Sequence, residues 1–110
     1  MKLTHDITAV FGADALTLSE EGAAPVIIAY REHPEIFGHP RFLMADLDKS
    51  VALVGKALKE LIRAQFTLIA PKIIVSIERP LDGGVADLDK KLLEQIFVKA
   101  GARTVVFRDA

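Results

Sequence analysis

Three acidic residues of this chain could together hold a pair of divalent metal ions, the arrangement that metal-dependent nucleases use to hydrolyse phosphodiesters. Asp6 and Glu60 would supply two of the carboxylates, and Glu78 or Asp109 the third. Asp6, however, precedes the apolar run of its strand, and no basic stretch is present that would hold a polyanion. A small metal-dependent nuclease is therefore an alternative hypothesis beside the leading one developed below.

Two histidines could bind zinc or copper, because His33 and His39 lie close together in the sequence and imidazole is a common ligand of both metals. Their six-residue separation in an irregular, proline-containing segment is not a recognised ligand spacing. We therefore expect both to be surface histidines beside turn prolines, and we expect the same of His5. The chain has no cysteine, which excludes thiolate nucleophiles and cysteine-based zinc sites.

The Gly83-Gly84 pair precedes a predicted helix, where backbone N–H groups could hold an anion. Asp82, Asp87 and Asp89 surround that position and already place negative charge there, so the segment is interpreted as a flexible turn with an acidic cap. Neither a Ser/His/Asp set nor a Gly-rich dinucleotide motif nor a P-loop lysine occurs. The prediction is that the chain has no catalytic residues, no metal site and no cofactor.

Composition limits the remaining function classes. The 110 residues amount to 12.0 kDa and are 51% hydrophobic, enough for the core of one domain spanning residues 1–110. A net charge of -1 and a pI near 6.3 argue against a nucleic-acid binder. No secretory signal pattern is recognisable, and every apolar run is far shorter than the ~20 residues that span a bilayer. We therefore expect a cytoplasmic protein without a membrane span.

Charge is unevenly distributed along the chain. Up to Leu47 there are 3 basic and 7 acidic residues, a net charge of -4, whereas the remainder carries 11 basic and 8 acidic residues, a net charge of +3. Ordinary scatter over a solvated surface explains an asymmetry of this size. The alternative is that oppositely charged surfaces favour head-to-tail association of copies.

The N-terminal third predicts three consecutive strands. Residues 7–11 are apolar and end at the turn Gly12-Ala13-Asp14, residues 15–19 alternate apolar and polar side chains, and residues 26–30 follow Pro25. Short connections make these strands a meander. Residues 31–45, with two X-Pro pairs, are predicted to be a connecting loop of about fifteen residues.

The rest of the chain predicts two helices and two strands. Asp46 or Asp48 caps the first helix, in which Gly55 is expected to allow a close backbone approach. The strand at residues 73–77 has the pattern of one covered on both faces, and residues 104–107 form a second buried strand. The positions of the first helix with helical 3-4 spacing are Val51, Val54, Leu58, Leu61, Ile62 and the pair Gln65-Phe66, all apolar except Gln65. Those of the second are Leu88, Leu92, Leu93, Ile96, Phe97 and Ala100.

The predicted order is β-β-β-α-β-α-β. Right-handed crossovers make the first, fourth and fifth strands parallel and place helices over the sheet. This predicts an α/β domain with a mixed five-stranded sheet in the order 3-2-1-4-5, the ribonuclease-H-like arrangement.

Segments along most of the chain resemble the first lobe of the bacterial actin-like ATPases, the MreB family. In the family, a strand P-R-V-V-V-x-V-P is followed by A-G-A-R-E-V. This chain has P-K-I-I-V-S-I at residues 71–77 and A-G-A-R-T-V at residues 100–105, the latter being the most specific match. The N-terminal third matches the family's D-L-G-T-A-N-T-L and P-S-V-V-A more loosely, at residues 10–18 and 25–29.

The resemblance implies an actin-like fold, but departures from the family pattern argue against its ATPase activity. The family binds phosphate with an Asp-x-Gly-Ser/Thr hairpin. Here the hairpin is degenerate, because Phe11 replaces the acid and Asp14 places a carboxylate where a hydroxyl would donate to phosphate. The second lobe's nucleotide motifs are not present. We therefore expect no ATP binding at Gly12, Ala13 and Asp14.

The leading hypothesis from the sequence is a non-catalytic, single-lobe actin-like domain that acts by protein–protein association, in the setting of cell shape or the cytoskeleton. Its expected partner is a second copy or another protein. A truncated relic without function is a further alternative.

Overall fold

The computed structural model describes residues 5–62, 70–81 and 83–108. The elements follow the predicted order, with two short helical turns inserted after the third strand. They are β1 (Asp6–Phe11), β2 (Ala15–Ser19), β3 (Val26–Ala29), a 3₁₀ turn (Tyr30–Glu32), α1 (Pro34–Phe37), α2 (Leu47–Ile62), β4 (Lys72–Ile77), α3 (Asp87–Lys99) and β5 (Thr104–Phe107).

The five strands form one mixed sheet in the order β3-β2-β1-β4-β5, which confirms the predicted α/β fold class and strand order. β1 pairs antiparallel with β2, and β2 pairs antiparallel with β3, so the three strands are the predicted meander. β4 runs parallel to β1 from Asp6↔Lys72 to Phe11↔Ile77, and β5 runs parallel to β4. The carboxyl ends of β1, β4 and β5 therefore lie side by side at one end of the strands, which is called the C-terminal edge of the sheet below.

One face of the sheet, called the covered face, forms the core together with α2 and α3. Strand side chains point alternately to the two faces, and alternate residues of the four strands β1 to β4 are buried on this one. Phe11 and Phe97 meet there edge to face, with ring centroids 6.5 Å apart. The buried strand residues of the covered face are Ile7, Ala9, Phe11, Leu16, Leu18, Ile28, Ile73 and Val75.

The opposite face, called the open face, has no described helix packed on it. Its side chains are partly or fully exposed, with Ile27 65% and Val106 43% accessible. The prediction that residues 73–77 are covered on both faces is therefore wrong, as is that of a buried strand at 104–107. Both helices follow right-handed crossovers in the same direction along the sheet, so they pack on the same face. The open face consists of Asp6, Thr8, Val10, Ala15, Thr17, Ser19, Ile27, Ala29, Lys72, Ile74, Ser76, Thr104 and Val106.

Helix α2 begins as predicted. The Asp46 carboxylate accepts the Lys49 N–H at 3.0 Å, so Asp46 caps the helix, and Val54, Leu58 and Leu61 pack into the core. A Cβ at Gly55 would lie 3.6 Å from the carbonyl oxygen of Ala100, an ordinary contact. The two helices do approach there, but the approach would also accept alanine. The predicted positions Gln65 and Phe66 lie outside the described residues.

Helix α3 differs from prediction in its first turn. Leu88 was expected in the apolar stripe but is 69% exposed, whereas Asp89 is 4% exposed. The Asp89 carboxylate accepts hydrogen bonds from Arg41, at 3.0 and 3.1 Å, and from the Ala86 N–H, at 2.7 Å. A charged side chain is stable there because an arginine pairs with it and the helix start supplies a donor. Leu93, Ile96 and Phe97 are buried as predicted.

The segment predicted as a loop at residues 31–45 contains a 3₁₀ turn and the four-residue α1. Pro34 is the first residue of α1, a position that tolerates proline because that N–H has no partner within a helix. His33 before it is non-helical, as X-Pro geometry requires. Ile36 and Phe37 are buried, which anchors the segment to the core. Among the described helices, none combines the length and hydropathy needed to cross a bilayer.

Candidate functional site

The hairpin of the sequence resemblance lies at the C-terminal edge of the sheet. A tight turn joins β1 to β2, and the Gly12 N–H donates to the Ala15 carbonyl at 2.9 Å. Ala13 and Asp14 at its tip are exposed. In doubly wound sheets, ligands bind at such an edge, so the location suits a binding site even though the predicted chemistry of Gly12, Ala13 and Asp14 does not suit phosphate.

Tyr30 holds this hairpin from the side of β3. Its hydroxyl donates to the Gly12 carbonyl at 2.8 Å, and its backbone N–H donates to the Asp14 carbonyl at 3.0 Å. Burial raises the pKa of the Tyr30 hydroxyl from 10.0 to about 12, with Arg79 acting in the opposite direction and Asp14 adding to the rise. The hydroxyl is thus a structural donor near neutral pH, which leaves it unsuited to act as a base or a nucleophile.

Arg79, just after β4, completes the cluster at this edge. Its guanidinium lies over the Tyr30 ring, 4.6 Å from the centroid, and one terminal nitrogen donates to the Phe37 carbonyl at 2.8 Å. The Arg79 backbone N–H donates to the Phe11 carbonyl. The other terminal nitrogen, Nη1, is buried without a hydrogen-bond partner among the described residues. Arg79 therefore joins β1, the Tyr30 ring and α1.

This cluster has a structural rather than a catalytic arrangement. Tyr30 and Phe37 stack with ring centroids 4.7 Å apart, and the Arg79 guanidinium contacts the Tyr30 ring and the Phe37 carbonyl. A depression of about 610 Å³ beside it is lined by Asp14, Ala15, Ala29, Tyr30 and Arg31. The exposed Asp14 carboxylate at its rim would repel a phosphate. The cluster lies at the C-terminal edge, where ligands bind in open α/β sheets. Its side chains, however, make their contacts within the chain.

His5 and Glu20 form a buried hydrogen-bonded pair on the covered face, so the expectation of a surface His5 is wrong. His5 Nδ1 contacts Glu20 Oε2, and both side chains are almost inaccessible. His5 Nε2 and Glu20 Oε1 have no partner among the described residues. The strand pattern could have predicted that both residues face the core. Glu20 continues the buried alternation of Leu16 and Leu18, and His5 continues that of Ile7 and Ala9.

The carboxylates of the nuclease hypothesis are scattered. Asp6 lies at the start of β1, and Glu78 follows the opposite end of β4. Glu60 is on the helix side of the sheet, while the alternation of β1 turns Asp6 toward the open face. Asp109 lies outside the described residues. In the part of the chain that the structure describes, no group of three or more metal-ligating side chains comes together.

The two loop histidines, His33 and His39, contact different residues. His33 lies edge to face against Phe37, with centroids 6.4 Å apart, while His39 accepts the Arg41 N–H through Nδ1 and stacks on Phe42. Each ring is used locally by its own segment. The turn after β4 behaves as expected from its glycines, since Gly83 and Gly84 both have positive φ, at 83° and 77°.

A second surface lies along the free edge of β3. A groove of about 280 Å³ runs between this strand and α2, with Val26, Ile28, Leu53 and Ala57 on its floor and Lys56 and Glu60 on its helix side. Sequence reasoning placed β3 in the meander but did not single out this groove, because a sequence does not show which helix flanks an edge strand.

No family model matches this chain, and a search of the curated proteins also finds no match.

Proposed function

We propose that this chain is a non-catalytic actin-like domain, similar to the first lobe of the MreB family, that binds another protein, with the cell-shape cytoskeleton as its setting. The observation that carries the proposal is the open face. Val10, Ile27, Ile74 and Val106 place apolar side chains on four of its strands, with Ile27 65% and Val106 43% exposed on the two edge strands, and an apolar surface that extends across a sheet suits a protein partner.

The chemistry of the C-terminal edge supports a binding role over an ATPase role. Asp14 occupies the tip of the hairpin that would face a phosphate, and Tyr30 and Arg79 there hold the hairpin and α1 together. A fold by itself does not assign a function, so the proposal depends on these side chains and on the open face.

The test is co-sedimentation of the purified chain with filaments of a purified MreB-family protein. We expect binding that is weakened at least about tenfold by Val106→Asp, which places a charge in the apolar open face. Val106→Thr is the matched control, because it keeps a β-branched side chain without a charge. A parallel calorimetric titration with Mg-ATP should give no heat.

Equal co-sedimentation of Val106→Asp and wild type would show that the open face is not the binding surface. Absence of co-sedimentation for the wild type would remove the proposed partner class. A micromolar dissociation constant for Mg-ATP would overturn the non-catalytic assignment.

A further inference from the structure

The free edge of β3 carries an unused set of backbone hydrogen-bonding groups. Residues of an antiparallel strand alternate between bonding to the neighbouring strand and pointing away from it. The Tyr30 N–H donates to Asp14 beside β2, so by alternation Ile28 and Val26 also bond toward β2. Ile27 and Ala29 therefore direct their N–H groups away from the sheet, and β3 is the last strand on its side of the described sheet.

Among the described residues, this edge has only two of the features that keep edge strands from pairing with other molecules, its length of four residues and Pro25 beside it. Natural edge strands are usually protected by charged side chains, bulges or a covering segment. β3 has the sequence Val-Ile-Ile-Ala, with no charged residue, and its Ile27 is 65% exposed. Pro25 stands just before the strand and removes one donor, but leaves its carbonyl available.

From these features we infer that a second copy of this chain binds to the outer edge of β3, so that two β3 strands pair antiparallel across a two-fold axis at Ile27. The inference rests on the proposed function, since it names one partner of a protein-association domain. The dimer would have a continuous ten-stranded sheet, formed by joining the two five-stranded sheets, with both open faces on one side.

The available groups match this register. With Ile27 opposite Ile27 of the second copy, the two residues exchange a pair of N–H to carbonyl bonds, and each Ala29 N–H donates to the carbonyl of the other Pro25. In each copy, two backbone groups at this edge would form no intermolecular bond: the Pro25 nitrogen and the Ala29 carbonyl. Proline has no N–H, and Ala29 is the N-cap of the 3₁₀ turn, whose carbonyl accepts the first bond of that turn. The edge thus offers four bonds per dimer in this register.

The helix layer fits the same two-fold axis. α2 contacts both β2 and β3, so it lies near the boundary between them. With strands about 4.8 Å apart, the axis would place the two α2 helices about 10 Å apart, which is the distance at which helices pack. Each helix would then fill the groove beside the partner's β3, where Leu53 and Ala57 are presented.

The groove is lined by one cation, Lys56, and by two acids, Glu32 and Glu60, so an antiparallel second copy can pair its Lys56 with an acid of the first. Lys56 and Glu60 lie one turn apart on α2, both exposed and both lining the groove. Two antiparallel α2 helices bring Lys56 of one copy toward Glu60 of the other, and the two-fold axis generates this pair twice. Such complementarity selects a second copy over a partner of unrelated sequence.

Ala29→Pro is the decisive variant. Ala29 has φ -72° and follows an extended residue, both compatible with proline, and its N–H points away from the sheet. The substitution removes two of the four intermolecular bonds without removing one inside the subunit. We expect the dimer dissociation constant, measured by sedimentation equilibrium, to rise at least about tenfold. Ala29→Ser, which keeps the N–H, should dimerise like the wild type.

A charge exchange tests the helix contact independently. Lys56→Glu should weaken the dimer, and the double variant Lys56→Glu/Glu60→Lys should restore it, because the exchanged charges face each other again. Thermal unfolding of each variant shows that the subunit itself is intact.

A wild type that stays monomeric at high concentration overturns the inference, as does a dimer that Ala29→Pro leaves unchanged. Val106→Asp separates this result from the proposed function, since Val106 is on β5 at the far edge of the sheet. That variant should lose filament binding but keep the dimer. A monomeric wild type that still co-sediments would refute only the dimer, and a dimer that never co-sediments would refute only the filament partner.

Discussion

The two faces of the sheet are built from the same strands and differ in almost every other respect. On the covered face, Ile7 and Leu18 are fully buried under α2 and α3, whereas on the open face Ile27 and Val106 are among the most exposed large hydrophobic residues. Between the exposed apolar residues lie Thr8, Thr17 and Ser76, which are only partly buried. The difference indicates that stability resides on one face and that the other can engage a partner.

This division also explains why the open face tolerates a mixed composition. Threonine and valine suit a pleated, half-buried surface, so strands remain strands there without close packing. The free energy gained by burial is concentrated where α2 and α3 meet the covered face, because apolar area removed from water contributes about 25 cal/mol per Å².

The largest expected effect is on the covered face. Phe97→Ala should lower the free energy of unfolding by about 3–5 kcal/mol, because it removes a fully buried ring in contact with Phe11 and leaves a cavity. A smaller truncation on the open face, Val106→Ala, should cost less than about 1 kcal/mol, because the two methyl groups it removes are partly in solvent. Urea denaturation of both variants measures the contrast. Similar costs for the two changes would mean that the faces do not divide stability in this way.

A smaller effect is expected at the polar pair within the covered face. Glu20→Leu leaves His5 buried without the carboxylate it contacts, so it should cost about 1–3 kcal/mol. The double variant His5→Leu/Glu20→Leu should regain most of that loss, because two apolar side chains replace a pair that must be desolvated. Denaturation of the single and double variants measures the coupling. A double variant less stable than Glu20→Leu would show that the loss of the carboxylate does not leave His5 in an unfavourable environment.

The smallest effect is expected at the C-terminal edge, between the two faces. Tyr30→Phe removes the hydrogen bond to Gly12 and should cost about 0.5–1.5 kcal/mol at neutral pH. The pKa of Tyr30 is about 12 in the folded protein, against the ordinary value of 10.0 in the unfolded chain, so the unfolded chain loses this proton first. The free energy of unfolding therefore falls as pH rises from about 10 through 12. The slope is at most about 1.4 kcal/mol per pH unit, and Tyr30→Phe should lack this component.

Tyr30 is the single tyrosine of the chain, so the absorbance of tyrosinate reports its titration directly. A midpoint near 10 in the folded protein would contradict the buried environment of its hydroxyl.

Much of the architecture follows from local patterns. Alternation in residues 15–19 and the helical stripe around Val54 and Leu58 depend only on which positions are apolar, and chain order with right-handed crossovers then determines the strand order. The predictions failed where a distant partner changes the environment of a residue. Asp89 was expected in the first helical turn as an acidic cap, and it does accept the Ala86 N–H, but its burial beside Arg41, which reaches it from a segment predicted to be loop, was not foreseen.

The candidate sites likewise contain some residues that the sequence indicated and others whose roles depend on tertiary contacts. The turn at Gly12 and the carboxylate at Asp14 were predictable from the sequence, since glycine and charge are properties of single positions. Tyr30 and Arg79 were not singled out, because their roles come from packing between the ends of β3 and β4, which are far apart in the sequence. The groove along β3 likewise depends on α2 returning beside that strand.

The sequence by itself determined the types of the five strands and the two long helices, the sheet order, the lack of cysteine chemistry and the acidic hairpin, because periodicity, turn residues and residue chemistry are local. Only the tertiary structure decided which face of the sheet is open, that His5 and Glu20 meet in the core, and that the outward N–H groups of Ile27 and Ala29 border a groove with Lys56 and Glu60. These depend on contacts between residues distant in the chain, and burial, pairing and exposed edges arise only when those contacts form.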